Sequence, residues 1–209
     1  MEQSKRHAWW QRWILLPASR VLVSSFLAMF GPVRANGSYR IPETGGVLIV
    51  ANHQSDLDPV LVQWACRRPM HFMAKQELFE MPILGPLIRL YGAYPVRRGE
   101  PDIHAIRQTL ELLSMGEVVL IFPEGRLTQD GVLIDFEAGV ALLARRAGVS
   151  TICCGIQNSN AIMPYGISLP RRAKVPVQVQ WGEVMRFNKE QTNDEVVAHL
   201  QSTVQSLLG

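Results

Sequence analysis

Two apolar runs, residues 47–51 and 117–122, each break off abruptly into a polar loop. The first reads Val-Leu-Ile-Val-Ala and continues as Asn52-His53-Gln54-Ser55-Asp56-Leu57-Asp58. The second runs into Phe122-Pro123-Glu124-Gly125-Arg126. Short apolar runs without alternation fit strands buried on both faces. Residues 71–74, 93–97, 151–156 and 175–181 read as further strands. Between them the period changes. Ile103, Ile106, Leu110 and Leu113 recur at helical spacing behind Asp102, which predicts a capped helix over 102–115. A short helix is expected over 59–66, with Asp58 as its N-cap and Pro59 at its first position. Residues 138–147 form another helix, stopped by Gly148, and 193–208 a terminal one. Strands alternating with helices imply an α/β fold, with a mixed, largely parallel sheet flanked by helices.

The first 34 residues follow a different pattern. Lys5, Arg6, Arg12, Arg20 and Arg34 face Glu2 alone, and Trp9, Trp10 and Trp13 crowd beside them. The apolar run 21–30 is too short to cross a bilayer, and Pro17 and Arg20 interrupt what precedes it. Two readings fit: a helical pair on the domain's own core, or an amphipathic element lying in a membrane interface. Tryptophan at headgroup depth and arginine on anionic lipid favour the second. The chain therefore divides into a membrane-docking segment, 1–34, and a domain, 35–209, with turns at Asn36-Gly37 and Gly45-Gly46.

Composition narrows the function classes. A chain of 209 residues, 47% of them hydrophobic, can bury one sizeable core. Its net charge of +3 comes without a basic run or nucleic-acid motif, so no nucleic-acid partner is expected. Three cysteines, two of them adjacent, fit a reducing compartment. They make no zinc spacing with histidine, and no metal is expected.

The candidate chemistry sits where the strands end, since sites in α/β sheets lie at the carboxyl ends of strands. His53 and Asp58 are spaced as a general base and the carboxylate that orients it. Each piece also has a plain structural reading. Asp58 suffices as a helix cap, Arg97 and Arg98 as a solvated pair, and Glu124 with Arg126 as a surface ion pair. Together they supply a base, its orienter, several cations and a glycine that permits close backbone approach.

That combination resembles the 1-acyl-sn-glycerol-3-phosphate acyltransferases and related PlsC-like glycerolipid acyltransferases. The resemblance covers about residues 36–185. Asn52, His53, Ser55 and Asp58 match the family's His-x4-Asp motif, and Phe122 to Arg126 its Phe-Pro-Glu-Gly motif. Gly92 to Arg98, Ala74-Lys75-Gln76-Glu77-Leu78 and Phe136-x-x-Gly139 look like three further stretches. Two departures stand out. Many members place threonine between the glycine and arginine of the third motif, whereas Arg126 follows Gly125 directly. The proline usual in the fourth motif is missing from residues 151–156.

The resemblance implies transfer of a fatty acyl group from acyl-CoA or acyl carrier protein to the sn-2 hydroxyl of lysophosphatidic acid, giving phosphatidic acid in phospholipid biosynthesis. It implies His53 as base and Asp58 as its orienter. Lys75, Arg97, Arg98, Glu124, Gly125 and Arg126 become the substrate-binding residues. Oxyanion donors are expected near Gly125. The acyl thioester is a co-substrate, and no cofactor is expected. Location on the cytoplasmic face of a membrane, as a peripheral protein, follows from lipid substrates and the N-terminal segment. Another lysophospholipid or glycerol 3-phosphate remains an alternative acceptor. A lipid or thioester hydrolase is the alternative class, disfavoured because no Gly-x-Ser-x-Gly elbow is present.

Overall fold

The computed structural model describes residues 10–97, 102–128, 131–166 and 169–209. Seven strands form one sheet: β1 (Val33–Asn36), β2 (Val47–Ala51), β3 (Met70–Lys75), β4 (Ala93–Val96), β5 (Val118–Ile121), β6 (Ser150–Gln157) and β7 (Val177–Met185). Their order is β1-β7-β6-β2-β5-β3-β4. All neighbours run parallel except β6 and β7. The expected mixed, largely parallel sheet is therefore present. The central strands β2 and β5 are buried along their whole length, as uninterrupted apolar runs require. Pro95 lies in β4, an edge strand, where its missing N–H breaks no inner ladder.

Among the described residues seven α-helices cover the sheet: α1 (Leu16–Phe30), α2 (Asp58–Ala65), α3 (Leu84–Leu90), α4 (Ile103–Ser114), α5 (Gly139–Ala147), α6 (Ser159–Ile162) and α7 (Asn193–Leu208). Side chains alternate along β2, and this divides the core in two. Val47, Ile49 and Ala51 pack with Leu27 of α1, with Leu61 and Val62 of α2, and with Ile162 of α6. Leu48 and Val50 pack with Leu112 and Leu113 of α4, with Val140 and Ala144 of α5, and with Val196 and Leu200 of α7. Helices α1 and α2 thus share one face, and α4, α5 and α7 the other.

Local sequence accounts for the helix ends. Asp102 caps α4 by accepting the N–H groups of His104 and Ala105, both at 3.0 Å. A capping box between Thr192 and Glu195 opens α7. Gly148 stops α5 at φ 59°, in the left-handed region. One expectation fails. The N-cap of α2 is Leu57, and Asp58 already lies inside the helix. Its carboxylate turns back into the preceding loop instead of capping the helix.

The N-terminal segment also differs from expectation. A π-helical turn, Gln11–Leu15, leads directly into α1, so the helical run Gln11–Phe30 is continuous for 20 residues. Pro17 directly follows the π-helical turn, so its missing N–H leaves one bond of the run unmade without ending it, and Arg20 donates to the Cys66 carbonyl. The run is long and apolar enough, by length and composition, to cross a bilayer. Yet it lies along the domain. Leu16, Ser19 and Leu27 are buried, the Trp64 Nε1–H donates to Ser24 Oγ at 2.9 Å, and Gln11 Nε2 donates to the Leu90 carbonyl at 3.0 Å. The division after residue 34 falls inside β1, whose partner is β7. Lys5, Arg6 and Trp9 lie outside the described residues.

Gly155 lets α7 lie close against β6, since a Cβ there would come within 2.6 Å of Leu207 Cβ. Gly155→Ala is expected to cost about 1–3 kcal/mol, the usual range for overpacking. Urea unfolding of the purified variant measures it.

Candidate active site

Neighbouring strands bring the two polar loops together. β2 and β5 pair in register, with Val50 beside Ile121, so His53 and Phe122 leave the sheet side by side. Their rings stack, with centroids 4.0 Å apart and planes 14° from parallel. Asn52 extends the pairing of β2 with β6 beyond the strand. Its Nδ2 donates to the Ile156 carbonyl at 2.9 Å, and its Oδ1 accepts the Ile156 N–H at 2.7 Å. Gln54 Nε2 donates to the same carbonyl at 2.5 Å.

Asp58 is fully buried, and its Oδ2 gathers the loop. It accepts from His53 Nδ1 at 2.9 Å and from the N–H groups of Gln54 and Ser55, both at 2.8 Å. Oδ1 has no hydrogen-bond partner among the described residues. The carboxylate's charge is therefore answered chiefly by the imidazole and two amides. With Nδ1 engaged, Nε2 is the nitrogen left for a substrate. This is the arrangement of a base held in one tautomer by a carboxylate.

The other loop supports the histidine from behind. Glu124 Oε1 accepts the His53 N–H at 2.7 Å, and Oε2 accepts the Ile134 N–H at 3.2 Å. Thr128 N–H donates to the His53 carbonyl at 2.9 Å. Burial pushes the Glu124 carboxyl above its ordinary range, against the pull of these two amides and the nearby histidine. Glu124 was expected among the substrate contacts, but both its oxygens are taken by backbone. Gly125 has φ 67°, and a Cβ there would collide with the Glu137 carboxylate. Its N–H donates to the Phe122 carbonyl at 3.2 Å, so this amide is turned away from an oxyanion.

A cleft of about 470 Å³ opens beside His53 and runs between α4 and α5 over the sheet. Met73, Val96, Ile106, Ile121, Val140 and Leu143 supply apolar wall, and Arg97, Asp102, Gly125 and Glu137 are its polar lining. Arg97 is fixed through its N–H to Asp102 Oδ2 at 3.0 Å and through Nε to Gln76 Oε1 at 3.3 Å. Of the predicted residues, His53, Arg97 and Gly125 line this cleft and Asp58 stands directly behind His53. Lys75 does not line it and pairs with Glu77 at 3.3 Å, while Arg126 is exposed away from it. Arg98 lies outside the described residues. The apolar lining and Glu137 were not singled out from sequence. On α4 and α5 the lining residues follow the same helical period as core residues.

Burial raises the Cys66 thiol to about 11 and the Cys153 thiol to about 12, and it holds Cys154 well above the ordinary thiol value. All three are free and buried. Thiols held protonated in a core are poor nucleophiles. None of the three lines the cleft, whereas His53 does.

Comparison with known proteins agrees with this geometry. The acyltransferase family model matches residues 32–157, more than half of the chain. The chain belongs to the acyltransferase family. It is 29% identical over 140 residues to a chloroplastic 1-acyl-sn-glycerol-3-phosphate acyltransferase of Arabidopsis thaliana, covering 66% of this chain and 39% of that protein. It is 37% identical over 132 residues to a lyso-ornithine lipid O-acyltransferase of Pseudomonas aeruginosa, covering 62% and 45%. The chain spans less than half the length of either relative. The fold matches the crystal structure of the 1-acyl-sn-glycerophosphate acyltransferase PlsC from Thermotoga maritima with a TM-score of 0.79. That match has 23% identity and covers 97% of this chain and 82% of that one. The residues matched by the family model include both the histidine loop and the Phe122–Gly125 loop.

Glu124→Ala leaves two buried N–H groups unpaired and frees the His53 backbone. The variant is expected to lose about 1–3 kcal/mol of stability. Because the base then moves, its turnover should fall more than its substrate affinity. Denaturation and steady-state kinetics on one preparation separate the two effects.

Proposed function

We propose that this acyltransferase moves a fatty acyl group from acyl-CoA or acyl carrier protein to the sn-2 hydroxyl of lysophosphatidic acid, forming phosphatidic acid. The observation that carries the reading is His53 held by Asp58 at the mouth of an apolar cleft. The base accepts the hydroxyl proton at Nε2 as the hydroxyl oxygen attacks the thioester carbonyl. The tetrahedral intermediate then collapses and expels the thiolate, which takes the proton back from the imidazolium. Asp58 stabilises the charged imidazole between these steps. The apolar cleft suits the acyl chain of the donor, and Arg97 at its wall suits an anionic group. The acyl thioester serves as co-substrate, and no cofactor enters the scheme.

Membrane docking belongs to the same proposal. Trp13, Ile14, Pro17, Ala18, Val21, Leu22, Ser24, Ser25, Ala28 and Met29 are exposed along one stripe of the N-terminal helical run, and only the two serines among them are polar. A helix tied to its domain along its length, with such a stripe outward, fits a helix lying in the bilayer interface. The free buried thiols suit the cytoplasmic face.

A second acceptor reading rests on Glu137. Its carboxylate lies at the cleft mouth beside Gly125, where it favours a cationic group over a phosphate. That suits an amine-bearing lysolipid of the kind named for the Pseudomonas aeruginosa relative. The deciding experiment offers one acyl-CoA with lysophosphatidic acid, lysophosphatidylethanolamine, lyso-ornithine lipid and glycerol 3-phosphate in turn. Phosphatidic acid formation is expected to dominate. Faster turnover of an amine-bearing acceptor, lost in Glu137→Gln, would establish the second reading, and acyl release without any acceptor would mark a hydrolase.

His53→Ala is expected to lower turnover at least about a hundredfold. Near-normal turnover in the folded variant would remove His53 as base. Val21→Glu with Leu22→Glu should abolish flotation with anionic liposomes while leaving turnover of detergent-dispersed substrate intact.

A further inference from the structure

The apolar stripe on α1 does not end with that helix. Gln11 Nε2 donates to the Leu90 carbonyl, and this bond joins the start of the helical run to the end of α3. On α3 and the turn before it, Ile83, Pro86, Leu87 and Leu90 are all exposed and recur at spacings of three and four. Ile83 is 84% exposed, more than any other large apolar side chain among the described residues, and Met81 beside it is 47% exposed. The two stripes therefore meet at one junction.

The junction carries the side chains of a lipid headgroup layer. Trp10 and Trp13 are exposed there, and Arg12 lies over the Trp13 ring at 5.7 Å. Arg89 is exposed on α3 and lies over the Phe79 ring at 5.1 Å. Aromatic rings with arginine heads, beside an apolar stripe, fit an anionic bilayer surface. The acids of the region, Glu77 and Glu80, belong to the 3-10 turn Gln76–Glu80 that precedes the stripe.

Helix α3 also connects this junction to the site. It leads into β4 at one end. At the other, Gln76 at the start of the preceding turn holds the Arg97 side chain at the cleft wall.

We infer that Met81, Ile83, Leu87 and Leu90 form a second bilayer contact, continuous with α1, that sets the β4 edge and the Arg97 wall of the cleft against an anionic lipid surface. This rests on the docking reading for α1, and it adds a surface which that reading does not contain. A lysolipid acceptor then reaches the cleft from the bilayer beside α3 without crossing water.

The test places single cysteines at Ile83, Val21 and Gln205 and labels each with an environment-sensitive fluorophore. The three native thiols are buried. Gln205 is exposed on α7, on the opposite side of the sheet from α1. Vesicles of phosphatidylethanolamine and phosphatidylglycerol are then added to the full chain. A blue shift of the label at 83 and at 21, with none at 205, supports the inference. A shift at 21 alone overturns it and leaves the α1 docking reading standing. No shift at either position overturns both. A shift at 83 that follows protein concentration without vesicles assigns the stripe to a second copy and also overturns it. Ile83→Asp should weaken vesicle binding about tenfold, as loss of one large apolar contact implies, with turnover of detergent-dispersed substrate unchanged. Unchanged vesicle binding in Ile83→Asp counts against it.

Discussion

The fully buried carboxylate of Asp58 is the constraint on which the site depends. A buried charge is costly unless hydrogen bonds and an opposite partner answer it. Here the answer comes from three consecutive residues of one loop, through the His53 imidazole and the Gln54 and Ser55 amides. The loop can satisfy Asp58 only by folding tightly over its Oδ2, and that fold delivers the imidazole. Removing one partner of such a pair typically costs about 3–5 kcal/mol, because the other is left buried and unpaired. The orientation of the His53 imidazole and the stability of the β2–α2 corner are one electrostatic arrangement.

The rest of the site clamps this corner from its other sides. Asn52 and Gln54 bind it to the end of β6, Glu124 and Thr128 bind it to the loop after β5, and Phe122 fixes the plane of the ring. These contacts come from strands on both sides of β2. In the proposed reaction the base must lie within hydrogen-bond reach of the acceptor hydroxyl, and small displacements are expensive in rate. Anchoring from two neighbouring strands restrains His53 against such displacements.

Much of this was legible in the sequence, for identifiable reasons. The buried strands wrote themselves as unbroken apolar runs, and Asp102 announced α4 because a cap is a local signal. The His53–Asp58 pair was legible because its partners lie only five residues apart in the chain. What was not legible depended on distant contacts. The sequence assigned Asp58 to capping because position alone favours it, whereas the loop's amides compete for the same carboxylate and win. Glu124 read as a substrate ligand, but the amides that claim it belong to residues 53 and 134. The run before Val21 looked broken at Pro17, yet the helix continues through it, with the π-helical turn Gln11–Leu15 just before the proline. The cleft lining was hidden because a residue facing a cavity and one facing a core obey the same helical period.

The sheet separates two apolar surfaces. Its α4 and α5 face carries the apolar cleft, and its α1 and α2 face carries the exposed apolar stripe. Under the proposed function, one surface closes around a single chain while the other stays open to a bilayer. Were both on one face, the cleft would take up lipid from the bilayer indiscriminately and the stripe would lose area to the cleft. Placing them on opposite faces leaves the carboxyl ends of β2 and β5 as the edge where both can meet. His53 stands on that edge, because a parallel sheet opens its loops there. The topology that made β2 and β5 neighbours therefore decides where a hydroxyl from one face can meet an acyl carbonyl from the other.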